Sequence, residues 1–261
     1  MKTKPIPFKP EMVQAIIGGR KTQTRRHLKL LGHKNITDFG PSTTKGYDWH
    51  FRDNAMRWHD IKHADLLKRC PYGQPGDMLW VREAWKACKQ MDHIKPSMLG
   101  KHEPRLYLAD DHLFEPACMM VTAGKYRPPM FMPRAYSRIT LKITNIRVQR
   151  VQDTSPLDAV AEGITEQMTA RTARNEGMAW GEVPDGTPDD AIYWLADYSA
   201  TLPEDADRAM TLDPCESFKG LWQAVNGPES WNANPFVWAI SFNAYGNNVD
   251  DAIRIMEAQA A

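Results

Sequence analysis

Nine consecutive residues near the start of the chain, Gly18 to Arg26 (GGRKTQTRR), combine four cations with two hydroxyl side chains. A basic turn with threonines binds anions, because Lys and Arg neutralise phosphate charge while hydroxyls bond phosphate oxygens. Arg20, Lys21, Thr24, Arg25 and Arg26 are therefore candidate contacts to a phosphate-bearing ligand. Trp80 and Arg82 lie on one strand-like segment and Arg138 on another. An indole beside guanidinium groups can stack a base and hold a phosphate. The competing reading of each is ordinary: a tryptophan fills a core and surface cations are solvated.

Other chemistries find no support in the spacing. His59 and His63 are four apart in a polar stretch, without an HExxH pattern. Cys70, Cys88, Cys118 and Cys215 show no paired zinc-ligand spacing. GxGxxG and GxxxxGK[ST] are both missing, which argues against a dinucleotide fold and a P-loop. No metal and no cofactor are expected.

These residues must be positioned by short elements. Met12, Val13, Ile16 and Ile17 recur at helical spacing, which predicts a helix over 10–17 ended by Gly18-Gly19. The turn CPYGQPGD leads into Met78–Trp85, rich in strand formers. Ile139, Leu141 and Ile143 alternate with polar residues, the mark of a half-buried strand. Ser155, Pro156, Asp158 and Gly163 punctuate a short helix. Phe218, Leu221, Trp222 and Val225 predict another helix, and residues 236–242 a last strand. Residues 29–69, 86–133 and 165–215 read as long insertions, with one helix near 189–198, and 244–261 as a polar tail. The expected class is α+β with a mainly antiparallel sheet, in one domain over 1–243.

Charge is unevenly spread along the 261 residues, although the net charge is only +1. Residues 1–30 carry eight Lys/Arg against one Glu, and 121–150 carry seven with no acid. Residues 181–215 carry nine Asp/Glu against one Arg. Converging basic segments would attract phosphates. No window has the roughly 20 apolar residues of a membrane span, and the first residues lack a secretory apolar run. A cytoplasmic protein without a membrane partner is expected.

The stretch Gly19, Lys21, Thr22, Thr24 and Arg26, following a helix, resembles the G-x-K-T-x-T-x-R signature of ASCH domains. GQPGD with MLWVREAW, the run SRITLKITNIRVQRVQDTSPLDAVAEGI, and LWQAVNG followed by SWNANPFVWAISF are similar to later blocks of the family, in the family's order. The combination resembles ASCH proteins carried by phages and prophages. The resemblance implies a PUA-like small β-barrel with flanking short helices and the three insertions.

It also implies roles. Some small ASCH proteins remove the acetyl group from N4-acetylcytidine, using a lysine base, a threonine nucleophile and a glutamate proton donor. The matching positions are Lys21, Thr24 and Glu162. A threonine hydroxyl attacks only when a base accepts its proton, and a lysine accepts one only when burial or neighbouring cations lower its pKa. Arg20, Arg25 and Arg26 supply such neighbours. Glu162 falls in the last turn of its predicted helix, where the dipole disfavours negative charge and suits a proton donor.

Three functions follow from the resemblance. The first is an amidohydrolase acting on an N4-acylated cytidine in a nucleoside, nucleotide or nucleic acid. The second is a binding module or nuclease, with RNA ahead of DNA as partner. The third is a phage accessory protein whose acidic insertion meets another protein.

Overall fold

A computed structural model describes residues 1–33, 35–169, 186–188, 190–195 and 213–260. In chain order the elements are β1 (Thr3–Pro7), α1 (Pro10–Ile17), β2 (Gln23–His27), β3 (Ile36–Pro41), β4 (Trp49–Asp53), β5 (Trp58–Ile61) and α2 (His63–Lys68). β6 (Met78–Arg82), β7 (Trp85–Ala87), β8 (Arg105–Tyr107), β9 (His112–Phe114), β10 (Thr140–Arg150) and α3 (Pro156–Ala161) follow. The chain closes with β11 (Thr165–Thr169), β12 (Ile192–Leu195), α4 (Pro214–Asn226), β13 (Phe236–Tyr245) and α5 (Val249–Ala260). Strands dominate and helices are few, so the class is α+β.

Two compact units share the chain. The first contains Met1–Ile17, Lys29–Arg147 and Ile240–Ala261; the second contains Gly18–Leu28 and Val148–Ala239. β10 and β13 run through the boundary, so the division falls inside strands rather than at a linker. Among the described residues no sheet closes into a barrel.

In the first unit the main sheet has the order β1-β6-β10-β13. β1 pairs parallel to β6, and β10 pairs antiparallel to it with Leu141 opposite Leu79. β6 reads Met-Leu-Trp-Val and all four residues are buried. A continuous apolar run is what a strand covered on both faces requires. α5 supplies one cover, since Val249 packs on Met78 and Trp80 with Ile253 and Met256 beside it. Those positions recur at helical spacing and form one apolar stripe. The polar tail is thus a docked helix.

Residues 29–69 and 86–133, expected from the sequence to be long irregular segments, contain strands instead. Residues 36–61 form an antiparallel three-stranded sheet, β3-β4-β5, and residues 85–114 form a second, β7-β8-β9. Trp85, Ala87, Tyr107, Met132 and Tyr136 make the core beneath the second.

In the second unit β2 lies beside β13, where the Leu28 amide donates to Phe236 O at 3.0 Å. α4 buries Phe218, Leu221 and Trp222, while Val225 is left partly exposed. Ile192–Leu195 form a strand antiparallel to β11, where a helix near 189–198 is expected from the sequence. Ile192, Tyr193 and Trp194 are β-branched or aromatic and favour a strand. Most of the acidic segment 165–215 lies outside the described residues.

Candidate active site

Local rules place Glu162. The Ser155 hydroxyl accepts the Asp158 amide at 3.2 Å and Pro156 occupies the first helical turn, so α3 starts as its punctuation requires. Glu162 is the C-cap residue of α3. Gly163 then takes a φ of 96°, a left-handed conformation that costs glycine no side-chain clash. The chain turns there and leaves the end of α3 beside the strand entering β2. Lys21 and Glu162 form an antiparallel bridge, and the Thr22 amide donates to Ala161 O at 2.9 Å. Two segments 141 residues apart are thereby pinned through their main chains.

The side chains then meet. Lys21 Nζ donates to Glu162 Oε2 at 2.5 Å and to the Glu162 carbonyl at 2.8 Å. Arg25 Nη1 donates to the other carboxylate oxygen at 3.0 Å and to Gln23 Oε1 at 2.7 Å. Arg25 Nη2 pairs with Asp158 Oδ2 at 3.0 Å, and Gln23 Nε2 donates to Asp158 Oδ1 at 3.1 Å. The Arg25 guanidinium lies 5.3 Å from the Phe218 ring centroid. Two cations and two carboxylates thus share one small volume, all within the second unit.

Burial makes this cluster electrostatically tense. The Lys21 side chain is 0% exposed and that of Glu162 4%. Loss of water holds the Lys21 amine below its ordinary pKa. Glu162 opposes that shift through its charge and hydrogen bond, while Arg26 and Arg25 add to it. A desolvated amine 2.5 Å from a carboxylate oxygen is placed to exchange a proton with it.

Thr24 is held differently. Lys21, Gln23 and Arg25 alternate along the strand and reach the same two carboxylates, whereas Thr24 falls between them, out of phase. It is buried, and its hydroxyl makes no hydrogen bond among the described residues. Arg20 is exposed and Arg26 partly buried.

Trp80, Arg82 and Arg138 belong to the first unit. Trp80 is a core residue under α5, which leaves its faces to protein packing rather than to a base. Arg82 stacks 4.5 Å from the Trp80 centroid and donates to Met130 O. Arg138 bonds Glu83 through Nε at 2.9 Å and Nη2 at 2.8 Å, and reaches Asp110 as well. Its charge is spent on these two carboxylates. Sequence reasoning missed Gln23 and Asp158; the alternation of Lys21, Gln23 and Arg25 was the available signal.

No protein-family profile, no curated protein and no solved structure is matched by the chain.

Proposed function

We propose that the second unit houses an amide-hydrolysing centre of the ASCH type, acting on an N4-acylated cytidine in a nucleoside, nucleotide or RNA. The observation that carries this reading is the buried 2.5 Å contact between Lys21 and Glu162. The ASCH resemblance assigns base and proton donor to these two positions, and they meet across the chain. A PUA-like ancestry of the fold belongs to the same proposal and rests on the motifs.

In this scheme Thr24 Oγ1 attacks the acyl carbonyl carbon and its proton passes to the Lys21 amine. The carbon–nitrogen bond breaks as Glu162 gives a proton to the departing exocyclic amine. Water then hydrolyses the acyl-threonine ester. Arg25 and Gln23 are positioning residues: Arg25 orients the Glu162 carboxylate, and Gln23 bonds Arg25 and Asp158. The out-of-phase Thr24 must turn toward Lys21, a main-chain adjustment that we assign to substrate binding. Mass spectrometry of protein quenched during incubation with N4-acetylcytidine tests the nucleophile. An acetyl group on the peptide carrying Thr24 is expected; an acetyl group on another residue would remove Thr24 from the scheme.

A second reading, nucleic-acid binding without chemistry, is favoured by the face of β4 and β5 in the first unit. Trp58 is 55% exposed there, with the Arg52 guanidinium 5.4 Å from its ring centroid and His50 edge-on at 4.9 Å. Exposed aromatic rings beside cations stack unpaired bases. RNA affinity that falls steeply with salt and drops in Trp58→Ala would support it; salt-independent affinity would count against it.

A further inference from the structure

We infer that His33, Asp53 and His59 form a binding site for a divalent transition-metal ion of the zinc class, independent of the centre in the second unit. Phe51 and Asp53 point to the same side of β4, and His59 on β5 is paired directly across from Phe51. The turn carrying His33 lies over that face: the His33 ring meets Phe51 edge-on at 4.8 Å and lies 5.2 Å from the His59 ring. His59 stacks on Phe51 at 4.9 Å. One donor atom from each of His33, Asp53 and His59 lies within 4.8 Å of the other two.

The carboxylate is built into the fold. Asp53 is 2% exposed, and its Oδ1 accepts the amides of Ala55 at 2.9 Å and Arg57 at 3.0 Å, which closes the β4–β5 turn. Oδ2 faces His59 Nε2 at 2.9 Å. The His33 ring nitrogens have no hydrogen-bond partner among the described residues. A zinc ion at about 2.0–2.1 Å from its ligands needs donors roughly 3.3–3.5 Å apart, so closure is a movement of about an ångström by the His33 turn. Two imidazoles with one carboxylate select a borderline transition ion over Ca²⁺ or Mg²⁺, which prefer oxygen alone, and three protein ligands leave coordination positions for water.

Arg57 is the competitor. Its Nε and Nη2 both lie 2.9 Å from Asp53 Oδ2, yet its side chain is 72% exposed. An arriving ion replaces one positive charge with two, and the guanidinium swings into water.

The test is calorimetric titration of the chelator-stripped full chain with Zn²⁺, repeated with Co²⁺ to read the visible ligand-field bands. Binding of one ion per chain is expected. His33→Ala and His59→Ala should each weaken it by at least about tenfold. His63→Ala should leave it unchanged, and Arg57→Ala should tighten it. Far-ultraviolet circular dichroism verifies that each variant is folded. A titration that does not saturate would overturn the proposal. So would equal affinity in the His33 and His59 variants, a matching loss in His63→Ala, or weaker binding in Arg57→Ala.

Discussion

Glu162→Gln should destabilise the protein more than Lys21→Met, and the structure sets the order. Glu162 serves two cations, Lys21 at 2.5 Å and Arg25 at 3.0 Å, and all three side chains are at most 4% exposed. Replacing it strands the Lys21 ammonium, whose one side-chain anion within salt-bridge distance among the described residues is Glu162, and leaves Arg25 with Asp158 and the Gln23 amide. Removing one member of a buried ion pair costs about 3–5 kcal/mol, because the remaining charge stays desolvated. Lys21→Met leaves Glu162 with Arg25 still in place, so its cost falls nearer to about 1–3 kcal/mol, the range for an impaired buried hydrogen bond. Combining the two changes removes both charges and should recover part of the loss. With a urea slope of about 2–3 kcal/mol per molar, Glu162→Gln lowers the unfolding midpoint by about 1–2 M. Tryptophan fluorescence follows the unfolding of both units, and in the second Trp222 and Trp231 flank Phe218. A Glu162→Gln midpoint within error of wild type, or a Lys21→Met protein less stable than Glu162→Gln, would refute the account of the pair.

Three further outcomes follow from single residues. Gly163→Ala places a side chain at a φ of 96° and should cost about 1–3 kcal/mol. Any hydrolytic rate should fall with it, as Glu162 shifts off Lys21; an unchanged rate would detach the turn from the site. Burial pushes the Tyr136 hydroxyl up to about 12 from its ordinary 10. The folded state keeps a proton that the unfolded chain loses above pH 10, so this contribution to stability is complete below pH 10 and fades as pH rises toward 12. Tyr136→Phe should flatten that alkaline loss in urea titrations at stepped pH, and an unchanged slope would assign it elsewhere. Alkylation of the native protein at mildly basic pH should mark exposed Cys118 well before Cys70, which is 1% exposed with its thiol pushed up to about 11 by burial. Equal rates by peptide mapping would contradict that burial.

Legibility in the sequence tracked the strength of each local signal. The helix over Pro10–Ile17 and the helix from Pro156 were readable because proline, serine and glycine mark their ends. The β3-β4-β5 sheet was not readable, because aromatic residues alternate there with Asp, His and Arg, and its buried face is carried by few positions such as Phe51 and Asp53. β7, β8 and β9 have three residues each, too few to show a period. α5 reads as a tail in the sequence because its apolar stripe rests on few residues, Val249, Ala252, Ile253 and Met256, among polar ones. At the site, motif order pairs Lys21 with Glu162, whereas strand phase sets Thr24 apart: odd-numbered Lys21, Gln23 and Arg25 share a direction that Thr24 does not. Asp158 read as a helix-capping residue, and its carboxylate in fact reaches Gln23 and pairs with Arg25. His59 and His63 stand four apart in the sequence, whereas the fold sets the ring of His33 beside that of His59, a proximity that no spacing shows.

Acetate release from N4-acetylcytidine by the full chain is the most direct test of the amidohydrolase reading, with Lys21→Met and Thr24→Ala measured beside it at matched folded fraction. The account predicts turnover by the wild type and a loss of about 10²–10⁴-fold or more in each variant, the contribution of a positioned base or of the nucleophile it activates. Absence of release from both the nucleoside and acetylated RNA, or release that survives in Lys21→Met, would contradict it.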